Sequence, residues 1–191
     1  MRVFLDMDDT LAAFKLAFTN ACGMHPLDFK AKALAFYEAR GFSQHDSEVL
    51  FVVDFWVVVL NTHMFWEKIP PMKDFKKMWR YFKSYNPIIV TAVPEFIELK
   101  SDAIQGKRQW INKWMNHSIR MLTIDLNSLQ HEKMDKTKFC TGYDDVLIDD
   151  NKRNVEQWIK VGGRAIHFIN AKDTIKQFKT MMKETHHEEK K

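Results

Sequence analysis

The sequence predicts an α/β protein in which a parallel sheet of about five strands alternates with helices and a small helical unit is inserted after the first strand. Three observations lead there. Continuous apolar, β-favouring runs recur at RVFL (2 to 5), PIIV (87 to 90), RMLTI (120 to 124), DVLI (145 to 148) and RAIHFI (164 to 169), as strands covered on both faces require. Segments with apolar residues at helical spacing lie between them. The connection from the first strand to the second is far longer than one crossover helix needs.

The first run leads into DMDDT, where carboxylates crowd the strand end. Residues 15–69, rich in aromatic and helix-forming types, are the expected insertion. Its most apolar window, VLFVVDFWVVVL (49 to 60), is about half the length of a bilayer span and carries Asp54 in its middle, so it is expected as a buried helix or strand. Pro70 and Pro71 start a helix over 72–85, with Phe75, Met78, Trp79 and Phe82 on one stripe and Lys73, Lys76, Lys77 and Lys83 turned mostly to water. KRQWINKWM (107 to 115) groups Trp110, Ile111 and Trp114. RNVEQWIKVGG groups Val155, Trp158 and Ile159 and stops at Gly162, suited to a left-handed cap. The expected organisation is a core at 1–14 and 70–185, a helical cap at 15–69 and a frayed polar tail at 186–191.

At 191 residues and 46% apolar, the chain can bury one sizeable core and is too apolar for disorder. Its net charge of +4 and pI near 8.9 come from Lys and Arg scattered along the chain. That favours anionic ligands, while the lack of a basic block argues against nucleic acid. Cys22 and Cys140 are too few and too far apart in sequence for a zinc site, and no stretch resembles a signal peptide or a membrane span. A cytoplasmic protein without a membrane partner is expected; a homodimer is left open.

Open parallel sheets bind ligands outside the carboxyl ends of their strands. Three strands here end in polar groups: the first in Asp6 and Asp8, with Met7 turned away, the second in Thr91, the fourth in Asp149 and Asp150. Carboxylates at that spacing raise one another's pKa unless a cation intervenes, and Mg²⁺ commonly takes a few carboxylates together with waters and phosphate oxygens. The residue types also suit phosphoryl transfer. An Asp can attack phosphorus, a second Asp can move the proton, and a hydroxyl and a lysine can meet the phosphoryl charge. Thr91 offers the hydroxyl; a lysine of EKMDKTKF offers the cation, Lys136 being favoured by its DKT context over Lys133 and Lys138.

DMDDT with Leu11, then IIVTA, then a lysine, then VLIDD, in that order, resembles the four-motif signature of the haloacid dehalogenase superfamily of phosphohydrolases. Within it the chain is similar to the 5′(3′)-deoxyribonucleotidase family. DMDDTLAAF is like that family's DMDGVLADF, ARGF (39 to 42) like an RGF of its cap, and FWEKIPPMKDF (65 to 75) like the segment rejoining the core. The resemblance implies a Rossmann-like core with a cap, and a Mg²⁺-dependent phosphatase hydrolysing nucleoside, above all deoxyribonucleoside, 5′-monophosphates through an aspartyl-phosphate. It implies Asp6 as nucleophile and metal ligand, Asp8 as acid/base and ligand through its carbonyl, Asp150 as further ligand and Asp149 in support. Thr91, Ala92, Lys136 and Lys107 would hold the phosphate, and Phe14 and Phe42 would line the base pocket, although either Phe can equally be core. Asp9 and Thr10 stand where the family has Gly-Val, Ala13 where it has Asp, Ser43 where an aromatic is usual, and TAVP replaces TSP. Those departures leave the chemistry in place and bear on base and sugar preference. Rival readings keep the mechanism on a sugar phosphate or other small phosphomonoester, or assign a 3′-phosphatase acting on DNA ends.

Overall fold

The computed structural model describes residues 1–115, 117–126 and 135–188. Each of the five apolar runs is a strand: β1 (Arg2–Asp6), β2 (Ile88–Pro94), β3 (Met121–Leu126), β4 (Asp145–Asp149) and β5 (Arg164–His167). They form one parallel sheet in the order β3-β2-β1-β4-β5. Chain direction across the sheet therefore reverses between β1 and β4, the position where open α/β sheets leave a crevice.

β1 shows why the runs are continuous rather than alternating. Val3 and Leu5 face one apolar cluster with Ile89, Val146, Ile148, Phe82, Trp110 and Phe178, whereas Phe4 faces a second with Val90, Leu147 and Trp158. Both faces are dry, so both sets of alternate residues are apolar. The first face is covered by α5 (Phe75–Phe82), α6 (Ile97–Trp114) and α8 (Ala171–Glu188), the second by α7 (Lys152–Lys160). In α7, Val155 and Trp158 are buried as the spacing predicts, but Ile159 turns outward, and Gly162 takes a left-handed φ of 90° just past the helix.

Two helix starts and one whole helix differ from expectation. α5 begins at Phe75 rather than at 72, because residues 70–72 pair with the loop after β1: the Ala13 N–H donates to Pro70 O at 2.8 Å and the Met72 N–H to Leu11 O at 2.8 Å. α6 begins ten residues before the KRQW segment, and α8 was not assigned from the sequence. α8 runs through Glu188, so the first residues of the expected tail are helical; 189–191 lie outside the described residues.

Between β1 and β2 lie α1 (Phe14–Cys22), α2 (Pro26–Glu38), α3 (Gln44–Leu60) and the single turn α4 (Phe65–Lys68). The apolar window at 49–60 is in α3, with Val52, Trp56 and Val59 buried and Asp54 accepting the Tyr37 hydroxyl at 2.6 Å. Aromatic rings hold these helices together, Phe18 stacking on Phe55 at 4.3 Å between centroids. No described helix is long and apolar enough to cross a membrane.

Candidate active site

β1 and β4 are in register with Leu5 opposite Ile148, so Asp6 and Asp149 emerge side by side where both strands end. Beyond them, Asp8 and Asp150 sit in the loops that leave the sheet. The loop after β1 is tightly wound. Leu11 and Ala12 N–H groups both donate to Met7 O, and Asp9 takes a left-handed φ of 56°. Asp tolerates that region better than most residues, and Gly, found there in the family the sequence resembles, enters it at no steric cost.

Lys136 opens a short 3-10 turn (Lys136–Phe139) and is buried between Asp6 and Asp149, donating to Asp6 Oδ1 and, at 2.6 Å, to Asp149 Oδ2. Burial alone would lower the ammonium pKa, but the two carboxylates override it and hold Lys136 above its ordinary value. Burial pushes the Asp6 carboxyl up, Lys136 pulls it back, and Asp149, Asp8 and Asp150 push it further. Asp149 has no spare capacity: it also accepts from the Asn151 N–H and, through both oxygens, from Asn154 Nδ2 at 3.1 and 3.0 Å. Lys138 instead lies over the Phe139 ring; Lys133 lies outside the described residues.

A second buried lysine serves Asp8. Lys107 Nζ donates to Asp8 Oδ2 at 2.5 Å, to Thr91 Oγ1 at 2.7 Å and to Ala92 O at 2.9 Å. An ammonium has three N–H donors, so all are used. Thr91 and Lys107, expected on the phosphate, thus stand behind Asp8 rather than on the cavity wall, which Ala92 and Lys136 of that group do line. The sequence held a signal for this: Leu99, Ala103, Lys107 and Trp110 share one buried stripe of α6, so Lys107 is a charge on a core face.

Gly106 makes that burial possible. A Cβ there would lie 2.6 Å from Trp66 Cβ, so α6 and α4 touch only because the side chain is absent. Trp66 in turn lays its ring 5.0 Å from Lys107 Nζ. Gly106→Val is expected to lower stability by about 1–3 kcal/mol through overpacking, and to lower turnover more than the residual folded fraction explains; urea unfolding and rate measurements on one sample separate the two.

These groups border a cavity of about 290 Å³. Asp6, Asp8, Asp9, Asp149, Asp150, Lys15 and Lys136 line it, together with Phe14, Phe55, Trp56, Trp66, Pro94 and Leu126. Phe14 is thus at the cavity, packed against Phe65 and Trp66. Phe42 is not among the lining residues: it lies half-exposed in the turn between α2 and α3 against Tyr37. Residue type marked an aromatic wall, but which rings reach it depends on helix packing. Lys15 bridges Asp9 at 3.1 Å and Asp150 at 3.5 Å at the cavity mouth. Lys15, Trp66, Phe55 and Trp56 were not among the expected site residues.

The residues fit a hard divalent cation. Carboxylate oxygens of Asp6, Asp149 and Asp150 lie within 4.8 Å of one another, and Asp8 Oδ1 is buried without a hydrogen-bond partner. All donors are oxygen, as Mg²⁺ requires. Burial, with Asp149 and Asp9 adding to it against Lys15, pushes the Asp150 carboxyl up to about 6, so this acid lacks a full counter-charge.

No protein-family model matches the chain, and no curated protein matches it. Solved structures share its fold. A predicted phosphatase from Clostridium acetobutylicum superposes with a TM-score of 0.52 at 14% identity, covering 92% of this chain and 89% of that one. A hydrolase from Streptococcus pneumoniae TIGR4 gives a TM-score of 0.45 at 12% identity, with 88% and 92% covered. The likeness to the Clostridium acetobutylicum structure, at that identity, establishes a common α/β architecture, and chemistry has to be argued from the cavity.

Proposed function

We propose that the chain is a phosphohydrolase of the haloacid dehalogenase type, acting on nucleoside 5′-monophosphates with preference for deoxyribonucleotides. One observation carries the reading. The same small cavity is bordered by an acid cluster with an embedded lysine, suited to a phosphoryl group, and by Phe14, Phe55, Trp56 and Trp66, suited to a flat ring. Its volume is on the scale of small-molecule ligand sites.

Asp6 attacks phosphorus through a carboxylate oxygen while the bond from phosphorus to the ester oxygen breaks, and Asp8 gives that oxygen a proton. Water then attacks the aspartyl-phosphate, giving its proton to Asp8, so phosphate leaves and both acids return to their starting states. Lys136 pulls the Asp6 carboxyl toward its charged form and offers its remaining N–H to the phosphoryl oxygens. Lys107 fixes the Asp8 carboxylate against Thr91. Asp6, Asp150 and the Asp8 carbonyl would hold Mg²⁺, which when bound supplies positive charge against the phosphoryl oxygens.

A panel of nucleoside 5′- and 3′-monophosphates and sugar phosphates, followed by phosphate release with and without a chelator, tests the proposal. Deoxyribonucleoside 5′-monophosphates should turn over fastest, and the chelator should stop all turnover. Equal rates across bases together with faster release from a sugar phosphate would remove the nucleotide preference and leave the phosphatase.

Stability should report the cation independently. Since the folded-state pKa of Asp150 is raised, its stabilising contribution is present below about pH 4 and lost as pH rises through about 6. The metal-free protein therefore loses stability on this account between those values. Mg²⁺ should raise Tm more at pH 7, where Asp150 is ionised, than at pH 5, where a proton must first leave. A Tm shift equal at both pH values contradicts the assignment of Asp150.

A further inference from the structure

α5 and α8 press together along their apolar sides. Phe82 and Tyr85 meet the Phe178 ring edge-on at 5.0 and 5.1 Å between centroids, and Asp74 at the head of α5 accepts the Ala171 N–H at 2.9 Å. The flanks left outside border a hollow of about 410 Å³ lined by Lys77, Lys172, Lys176, Lys179 and Lys183, with Ile175 and Thr180. The four lysines of α8 recur at helical spacing, so they form one stripe about 16 Å long, and Lys77 of α5 faces it.

No carboxylate lines this hollow, and among the described residues none of its lysines has an ion-pair partner. Asp173 and Glu184 of α8 border an adjoining hollow with Tyr143 and Arg164, which shares Lys176 and Thr180 with this one. Five ammonium groups without an ion-pair partner among the described residues, Lys179 lying over the Tyr81 ring, therefore share one concave surface in a chain whose net charge is only +4. Such a surface attracts a polyanion. An anionic bilayer is the poorer match: membrane-lying helices present apolar side chains beside the basic ones, and the residues of α8 exposed through position 184 are all polar.

We propose that the lysine hollow binds the phosphate backbone of a nucleic-acid strand, without reading its bases, at a surface that shares no residue with the acid-lined cavity. The scattered lysines of the sequence argued against nucleic acid; folding gathers five of them from two distant segments. The hollow is independent of the phosphatase reading.

Fluorescence anisotropy with a labelled single-stranded oligonucleotide about twenty nucleotides long tests this. Five phosphate contacts predict a slope of log affinity against log salt of about −3.5, or roughly a hundredfold loss over a fourfold rise in salt. K172E/K176E/K179E should abolish binding, while reversal of Lys32 and Lys160, exposed elsewhere, should leave it nearly unchanged; circular dichroism checks that each variant folds. Absence of binding at low salt, equal binding by both variants, or binding to anionic vesicles but not to the oligonucleotide would overturn the proposal.

Discussion

Asp6→Asn is expected to abolish phosphate release, by roughly 10⁴-fold or more, while leaving the protein folded and no less stable. The two effects separate for a physical reason. Asp6 is buried, with burial and three neighbouring carboxylates pushing its pKa up, so its charge is a strain on the folded state that only Lys136 relieves. The amide of Asn keeps an acceptor for Lys136 and drops the charge, but it cannot form the bond to phosphorus. Turnover and Tm measured on one preparation check both halves. Near-native turnover would remove Asp6 from the nucleophile role, and loss of folding would make it a structural residue.

Lys136→Met should act in the opposite sense. It removes the cation shared by Asp6 and Asp149, leaving two largely buried carboxylates without their shared counter-charge. Breaking a buried pair by deleting one partner costs about 3–5 kcal/mol, which for a chain of this size lowers Tm by about 10 °C. Activity should fall with it, since Asp6 would be held neutral. The double variant Asp6→Asn with Lys136→Met should recover part of the lost stability, because one of the two orphaned charges is gone. A single variant within about 1 kcal/mol of wild type would mean that water, not Lys136, balances these acids.

How far the fold could be read in advance depended on which signals are local. Residues such as Val3, Phe4 and Leu5 are apolar on both faces because both faces are covered, and that property is visible in a run of a few residues. The placement of Asp6, Asp149 and Asp150 follows from it, as they are simply what comes next in the chain. α8 was missed because its buried residues, Thr174 and Phe178 among them, are spread between lysines. Long-range features were not legible. Phe14 and Phe42 are both aromatic residues between β1 and β2, yet one is at the cavity and the other outside it, a difference made by how α1 to α4 pack. Lys107 was flagged, but its three partners come from β2 and the loop after β1, so its attachment to Asp8 needed coordinates. Gly106 gave no hint beyond being a glycine in a helix; the contact that requires it is with Trp66, forty residues earlier in the chain.

The covalent step is the part of this account open to the most direct observation. Acid quenching of the protein during turnover of a radiolabelled nucleoside 5′-monophosphate should leave phosphate bound to the peptide that contains Asp6, and Asp6→Asn should carry none. Label on a different residue, or phosphate released at full rate by Asp6→Asn, would contradict it.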